Sequence, residues 1–360
     1  MYYICLKCLG DEGLKEDPKA NINLTYGTCD FCNSENQYCF SSKKLYELMK
    51  PVIDLYMPDQ DFSESITMDD DCHIWEIIQN DWDIFPKLSV PDVHKLFSEM
   101  IDTKGWGESM TNIFPVRDAD KYFGIVHNME KSYKKKWDEF CNEIISKNRF
   151  LPQSSGNLEI LKNLLPLYKI ELPCGDSYYR ARICEDGKGF TKNDMGCPPP
   201  EKSSAGRANP NGIPYLYLSS IENTALYEVK PFNMDIVSIG EFTPKKTLKI
   251  IDLAHEHKIK PIKFGYKIRD KRLQIELLKI LSAELSKSIN PRRANLDYIP
   301  LQYLCEFIKI QGFDGLTYKS SLGDGYNLLV YNEDTFTCNN VKTYKAIINK
   351  NAFSKIKLVR

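Results

Sequence analysis

Two C-x-x-C hooks, Cys5-Leu6-Lys7-Cys8 and Cys29-Asp30-Phe31-Cys32, stand twenty residues apart near the start of a 360-residue chain. Four thiolates converging from two tight turns are the donor set of a closed tetrahedral zinc site. Cys5, Cys8, Cys29 and Cys32 are therefore expected to hold a structural zinc. Such a site keeps no open position for substrate, so it serves folding rather than chemistry. Gly10 and Gly27 lie near the hooks, where tight turns are needed, and Cys39 is a spare that could replace one ligand. The alternative is four unrelated free thiols. A redox pair is disfavoured because no thioredoxin-like βαβ pattern surrounds either hook.

The remaining eight of the twelve cysteines are scattered, which suits a reducing cytoplasm better than a secreted disulfide scaffold. The N-terminus has no basic segment followed by a long apolar one, and no apolar run reaches ~18 residues, so neither a signal peptide nor a membrane span is expected. Formal net charge is −1. That balance argues against a nucleic-acid partner, and the run Lys134-Lys135-Lys136 reads as the solvated face of a helix.

Apolar spacing divides the chain at about residue 170. Residues 1–40 read as the zinc knuckle and 41–170 as a mostly helical domain. Helices are expected over 43–56, with Pro51 as a kink, over Pro91–Ile101, over Lys121–Lys147 and over Asn157–Tyr168. The third has a continuous apolar stripe of three- and four-residue steps. Pro58–Asp71 is acidic and reads as an exposed loop. Beyond Pro173, short β-like runs alternate with Gly, Pro and Asn turns, and two helices interrupt them, lined by Leu273–Leu285 and Leu301–Ile308. Strands and helices do not alternate strictly, so residues 171–360 are expected to be α+β rather than doubly wound. The Gly/Pro/Ser-rich stretch Gly187–Asn211 is too long for an ordinary connector, and long irregular loops are often functional.

Three segments of this half combine unusual features. Tyr178-Tyr179-Arg180-Ala181-Arg182 puts two arginines on one strand face, costly to bury unless they meet anions such as a pyrophosphate. A pair of surface arginines at a sheet edge is the plainer alternative. Gly206-Arg207-Ala208-Asn209 leads into the aromatic strand around Tyr217, and Thr224-Ala225-Leu226-Tyr227-Glu228-Val229 follows as a short helix, expected to be capped by Ser219 or Ser220 and to end at Pro231. Glu228 in its last turn opposes the helix dipole, unless it is simply solvated. Phe313 to Asn327 carries Ser320, Ser321 and a glycine-rich turn that could offer donors to a ligand, or could be an ordinary β-turn.

In this order, "YYRAR", "GRANPNGIPYLYLS…TALYEVKP" and "GFDGLTYKSSLGDGYNLLVYN" resemble the three core blocks of the RES domain, over roughly residues 174 to 332. The resemblance maps the family's arginine, glutamate and serine to Arg180, Glu228 and Ser320, with Tyr217 as the aromatic before the helix and Ser321 as a neighbour of the serine. It implies an ADP-ribosyltransferase-like fold and an NAD-degrading toxin or defence effector that cleaves the nicotinamide N-glycosidic bond by hydrolysis or phosphorolysis. ADP-ribosyl transfer to a macromolecule, or an inert adaptor, are the other readings. It also implies a restraining antitoxin or regulatory protein, or an autoinhibited homo-oligomer. "CLKC…CDFC" and "KWDEFCNEI" are similar to the HEPN/RES-type N-terminal module. The Arg-x4–6-His motif of HEPN ribonucleases is not met, since position 121 is Lys and Arg117 lies too far from His127.

Losing nicotinamide leaves an oxocarbenium-like ribose, so the chemistry so implied needs a nearby carboxylate and no metal. On this reading Glu228 stabilises the cation, Arg180 anchors phosphate, Tyr217 stacks on nicotinamide and Ser320 hydrogen-bonds the nicotinamide-ribose end. Arg182, Arg207 and Ser321 are secondary ligand contacts.

Overall fold

The computed structural model describes residues 1–10, 24–53, 74–102, 124–153, 156–255, 262, 267–287, 293–348 and 356–359. The chain divides into two units, Met1–Ser132 with His257–Ile275, and Tyr133–Glu256 with Glu276–Arg360.

In the first unit the hooks are the ends of very short strands. β1 (Tyr3–Cys5), β2 (Thr25–Gly27) and β3 (Gln37–Ser41) form an antiparallel sheet in the order β1-β3-β2. Both hooks close as turns: Cys8 N–H donates to Cys5 C=O at 3.0 Å and Asn33 N–H to Cys29 C=O at 2.9 Å. Gly27 ends a strand rather than making a turn. Three helices follow, α1 (Ser42–Ile53), α2 (Ile74–Trp82) and α3 (Val90–Asp102). Leu45, Met49 and Val52 of α1 are fully buried at helical spacing, and Pro51 lies inside the helix. The loop expected over Pro58–Asp71 lies outside the described residues.

The long helix is α4 (Gly124–Ser146). Its lysine run faces solvent, with Lys134 to Asp138 at 2.9 Å and Lys135 to Glu139 at 3.9 Å, while Trp137, Phe140 and Ile144 are buried. Arg117, Lys121 and the side chain of His127 lie outside the described residues. The helix expected over Asn157–Tyr168 is α5 (Gly156–Leu164), tightened at Pro166 into a 3-10 turn, Leu165–Tyr168.

The second unit holds a nine-stranded sheet. In chain order its strands are β4 (Lys169–Leu172), β5 (Tyr178–Ile183), β6 (Leu216–Ser219), β7 (Ile236–Pro244), β8 (Leu248–Leu253), β9 (Gly315–Lys319), β10 (Tyr326–Val330), β11 (Phe336–Ile348) and β12 (Ile356–Val359), arranged β12-β11-β7-β5-β6-β10-β9-β8-β4. Every pairing is antiparallel except β8 with β9. A parallel pair needs a crossover, and the connecting chain carries α7 (Ile268–Ser286), α8 (Ala294–Asp297) and α9 (Ile299–Ile310). One more helix, α6 (Glu222–Val229), follows β6. This is the mixed α/β architecture expected of the second half.

Strand alternation gives the sheet two different faces. Tyr178, Leu218, Phe242 and Leu328 bury one face against Met195 of the long 187–211 loop. Ala181, Val237 and Ile239 bury the other against Ala225 and Leu226 of α6. The loop is ordered by its own turns: a Thr191/Asp194 capping box opens a 3-10 turn at Lys192–Asp194, and Met195 is fully buried.

Candidate active site

β5 and β6 pair at a single position, Tyr179 with Ser219, and separate from there onward. The next residues along the two strands, Arg180 and Ala181 on one and Leu218 and Tyr217 on the other, line a cavity of about 270 Å³ in the split. Glu228 and Val229 of α6, with Tyr318 and Asn327 from β9 and β10, complete its walls.

α6 aims Glu228 at this cavity. Ala225 and Leu226 pack on the sheet, and Lys230 ends the helix in a left-handed conformation (φ 47°), followed by Pro231. The expected serine cap is absent: Ile221 is the N-cap and no side chain caps the helix. Both serines face the strands instead, Ser219 donating to Asn327 Oδ1 at 2.7 Å and Ser220 Oγ accepting from Tyr326 N–H at 3.0 Å.

The Glu228 carboxylate is asymmetrically held. Ser320 Oγ donates to Oε1 at 2.8 Å, and Asn327 Nδ2 donates to the same oxygen at 2.7 Å. Among the described residues Oε2 has no hydrogen-bond partner. Ser320 thus reaches the site through Glu228 rather than as a wall of the cavity.

Arg180 lies on the opposite sheet face from α6, with Tyr178 and Arg182. Its Nη1 donates to the carbonyls of Met195 at 3.1 Å and Gly196 at 2.6 Å. Burial lowers its pKa from the ordinary guanidinium value, partly offset by Cys197 and Glu333. Among the described residues no carboxylate lies within ion-pair distance of it. The Cys197 thiol beside it is pushed up to about 12 by burial and by Glu333. The half-buried guanidinium meets backbone carbonyls through Nη1, a setting that favours an incoming anion.

Tyr217 lines the cavity and turns its phenol hydroxyl to the Gly-Arg loop. The phenol donates to Asn209 Oδ1 at 2.8 Å and accepts from Ala208 N–H at 3.1 Å, while burial raises its pKa well above the ordinary value. Asn209 Nδ2 ties the loop together by bonding the carbonyls of Ser204 at 3.1 Å, Pro210 at 3.2 Å and Ile213 at 3.1 Å.

The secondary candidates stand apart from the cavity walls. Arg182 donates to the Asp194 carbonyl and lies 4.3 Å from the Phe190 ring centre, Arg207 donates to the Leu285 carbonyl, and Ser321 is exposed. Asn327 and Tyr318 were not among the site residues expected from sequence, and Ser219 was expected only as a helix cap. Only period-two alternation, placing Asn327 on the face opposite Leu328, would have pointed to the first of them.

The four hook thiols of the first unit lie within 4.8 Å of one another. Cys5–Cys8 is 3.7 Å, Cys5–Cys32 is 3.6 Å and Cys8–Cys29 is 3.9 Å. Zn–S bonds of about 2.3 Å in a tetrahedron put sulfurs about 3.8 Å apart, so the group fits a zinc ion. Burial pushes the Cys5 and Cys8 thiols up, whereas hydrogen bonds, chiefly from Ser34, overcome desolvation and bring Cys32 down to about 6. Cys39 is buried nearby but is not one of the clustered four.

Residues 178–348 match the family model of the RES domain. The matched stretch runs from β5 through β11 and contains every wall of the cavity. Among solved structures, the chain is similar to one in the crystal structure of the M. tuberculosis MbcT-MbcA toxin-antitoxin complex, with 12% identity and a TM-score of 0.36, over 52% of this chain and 92% of that one. No curated protein matches the chain. Among the described residues no helix is long and apolar enough to cross a membrane.

Proposed function

We propose that the RES domain cleaves the bond between nicotinamide nitrogen and ribose C1′ of NAD. The observation that carries this reading is the meeting of Glu228, Arg180 and Tyr217 at one cavity, with Ser320 bonded to the glutamate. When the bond breaks, its electron pair leaves with nicotinamide and positive charge develops on the ribose. The free Oε2 of Glu228 is the group placed to balance that charge, or to accept a hydrogen bond from a ribose hydroxyl.

A cavity of about 270 Å³ is at the small end of ligand sites, which run to ~300–1,000 Å³. It suits the nicotinamide-riboside end of the dinucleotide. The phosphates then extend along the β5–β6 split, where the guanidinium of Arg180 supplies positive charge. Tyr217 offers its ring face to the nicotinamide. The acceptor, water or phosphate, adds oxygen to C1′ and loses a proton. In the first unit the four clustered thiols would hold a structural zinc, which supplies folding energy.

The test is purified protein with NAD, with and without phosphate, followed by mass analysis of the products. Nicotinamide release supports the reading, and the mass of the ribose product separates water from phosphate as acceptor. Label from NAD retained on a macromolecule would favour ADP-ribosyl transfer. NAD left intact by folded protein contradicts the reading.

A further inference from the structure

We infer that Asn327 is a positioning residue, which fixes the orientation of the Glu228 carboxylate so that one of its oxygens stays free. The inference rests on the proposed role of Glu228 and deepens it. Asn327 is 5% exposed on β10, between β6 and β9. Its amide spans two partners, donating from Nδ2 to Glu228 Oε1 at 2.7 Å and accepting at Oδ1 from Ser219 at 2.7 Å. The orientation is dictated by chemistry. An ionised carboxylate only accepts, so the amide must turn its NH2 to Glu228, and the opposite end must then take a donor, which Ser219 provides.

The contrast with Ser320 decides which donor does the positioning. Ser320 sits just beyond the end of β9, in the turn to β10, and is partly exposed. Asn327 is held by backbone pairing on both sides, opposite Ser219 of β6 and opposite Tyr318 of β9. Glu228 itself is exposed, so its rotamer is not fixed by packing. A buried amide anchored in the sheet is the rigid member of the set. By occupying Oε1 it leaves Oε2 for the substrate.

The experiment compares wild type, Asn327→Asp, Asn327→Ala and Ser219→Ala in steady-state NAD turnover, together with crystal structures of the folded variants. Asn327→Asp keeps the shape and an acceptor for Ser219 but replaces the amide donor to Glu228 by a second carboxyl group, which repels it when ionised. It is expected to lower kcat roughly tenfold to a hundredfold, the scale of a misplaced reacting group, with KM within about threefold of wild type. Ser219→Ala, which frees the amide to turn, is expected to give a smaller kcat loss. In the variant crystals the Glu228 carboxylate is expected to leave its wild-type position. Wild-type kcat in Asn327→Asp, or a loss confined to KM, overturns the inference. If wild type leaves NAD intact, the proposed function fails first. The crystals still decide the inference, because Glu228 unmoved in the variants overturns it.

Discussion

Ser320 donates its hydroxyl hydrogen to Glu228 Oε1 at 2.8 Å, although 91 residues separate the two along the chain. The serine therefore acts on the carboxylate, and its removal leaves the second donor, Asn327, in place. Ser320→Ala is expected to lower kcat only about threefold to thirtyfold, since one neutral-to-charged hydrogen bond of ~1.5–3 kcal/mol is only partly lost from the transition state. Steady-state NAD turnover checks this. A loss as deep as that of a Glu228 variant would mean that the hydroxyl touches substrate directly.

Arg180 offers a different signature. Its half-buried guanidinium lies against backbone carbonyls and has no carboxylate within ion-pair distance among the described residues. If it meets the pyrophosphate, Arg180→Lys keeps the charge but loses the planar fork. Its KM for NAD is expected to rise about tenfold, while nicotinamide mononucleotide, which has no pyrophosphate, is affected less. Equal effects on both substrates would remove Arg180 from phosphate binding.

Gly206 tests whether the Gly-Arg loop is held by the tyrosine. A β-carbon at this position would lie 2.4 Å from Asn209 Oδ1 and 3.0 Å from the Tyr217 hydroxyl. Gly206→Ala should therefore break the Tyr217–Asn209 bond and destabilise the protein by ~1–3 kcal/mol, the range for overpacking a filled site. Thermal or urea unfolding measures it, and an unchanged midpoint would show that the loop rearranges freely.

The thiol cluster makes a pH prediction with a definite sign. Zinc binds thiolates, and the Cys5 and Cys8 thiols are raised by burial, so binding must release their protons. Zinc affinity is expected to fall as pH falls at every pH below the raised Cys5 and Cys8 values, neutral pH included, and Cys8→Ser should lose the metal. Metal analysis of protein equilibrated across pH checks both. No zinc in wild type at neutral pH would refute the assignment.

Much of this architecture was legible because its signals are local. Tyr178–Ile183 was bounded correctly by its aromatic and arginine alternation, and α4 to within a few residues by its apolar stripe. The knuckle strands escaped because β1 and β2 have three residues each, too few for a period to show. β4 escaped because Ile170 and Leu172 directly follow a helical pattern and precede Pro173. Arg180, Tyr217 and Glu228, the candidates named from sequence, line one cavity. The wiring of that cavity was not legible. Whether Ser219 caps α6 or bonds Asn327, and which sheet face Arg180 takes, depend on strand pairings far apart in sequence.

The most direct measurement is nicotinamide release from NAD by wild type and Glu228→Gln at equal concentration, with unfolding curves of both. Glu228 is exposed, so the amide should leave stability within about 1 kcal/mol of wild type. Turnover should fall by roughly a hundredfold or more, the scale seen when a group that stabilises transition-state charge is removed. Equal nicotinamide release by the two proteins would contradict the account at its centre.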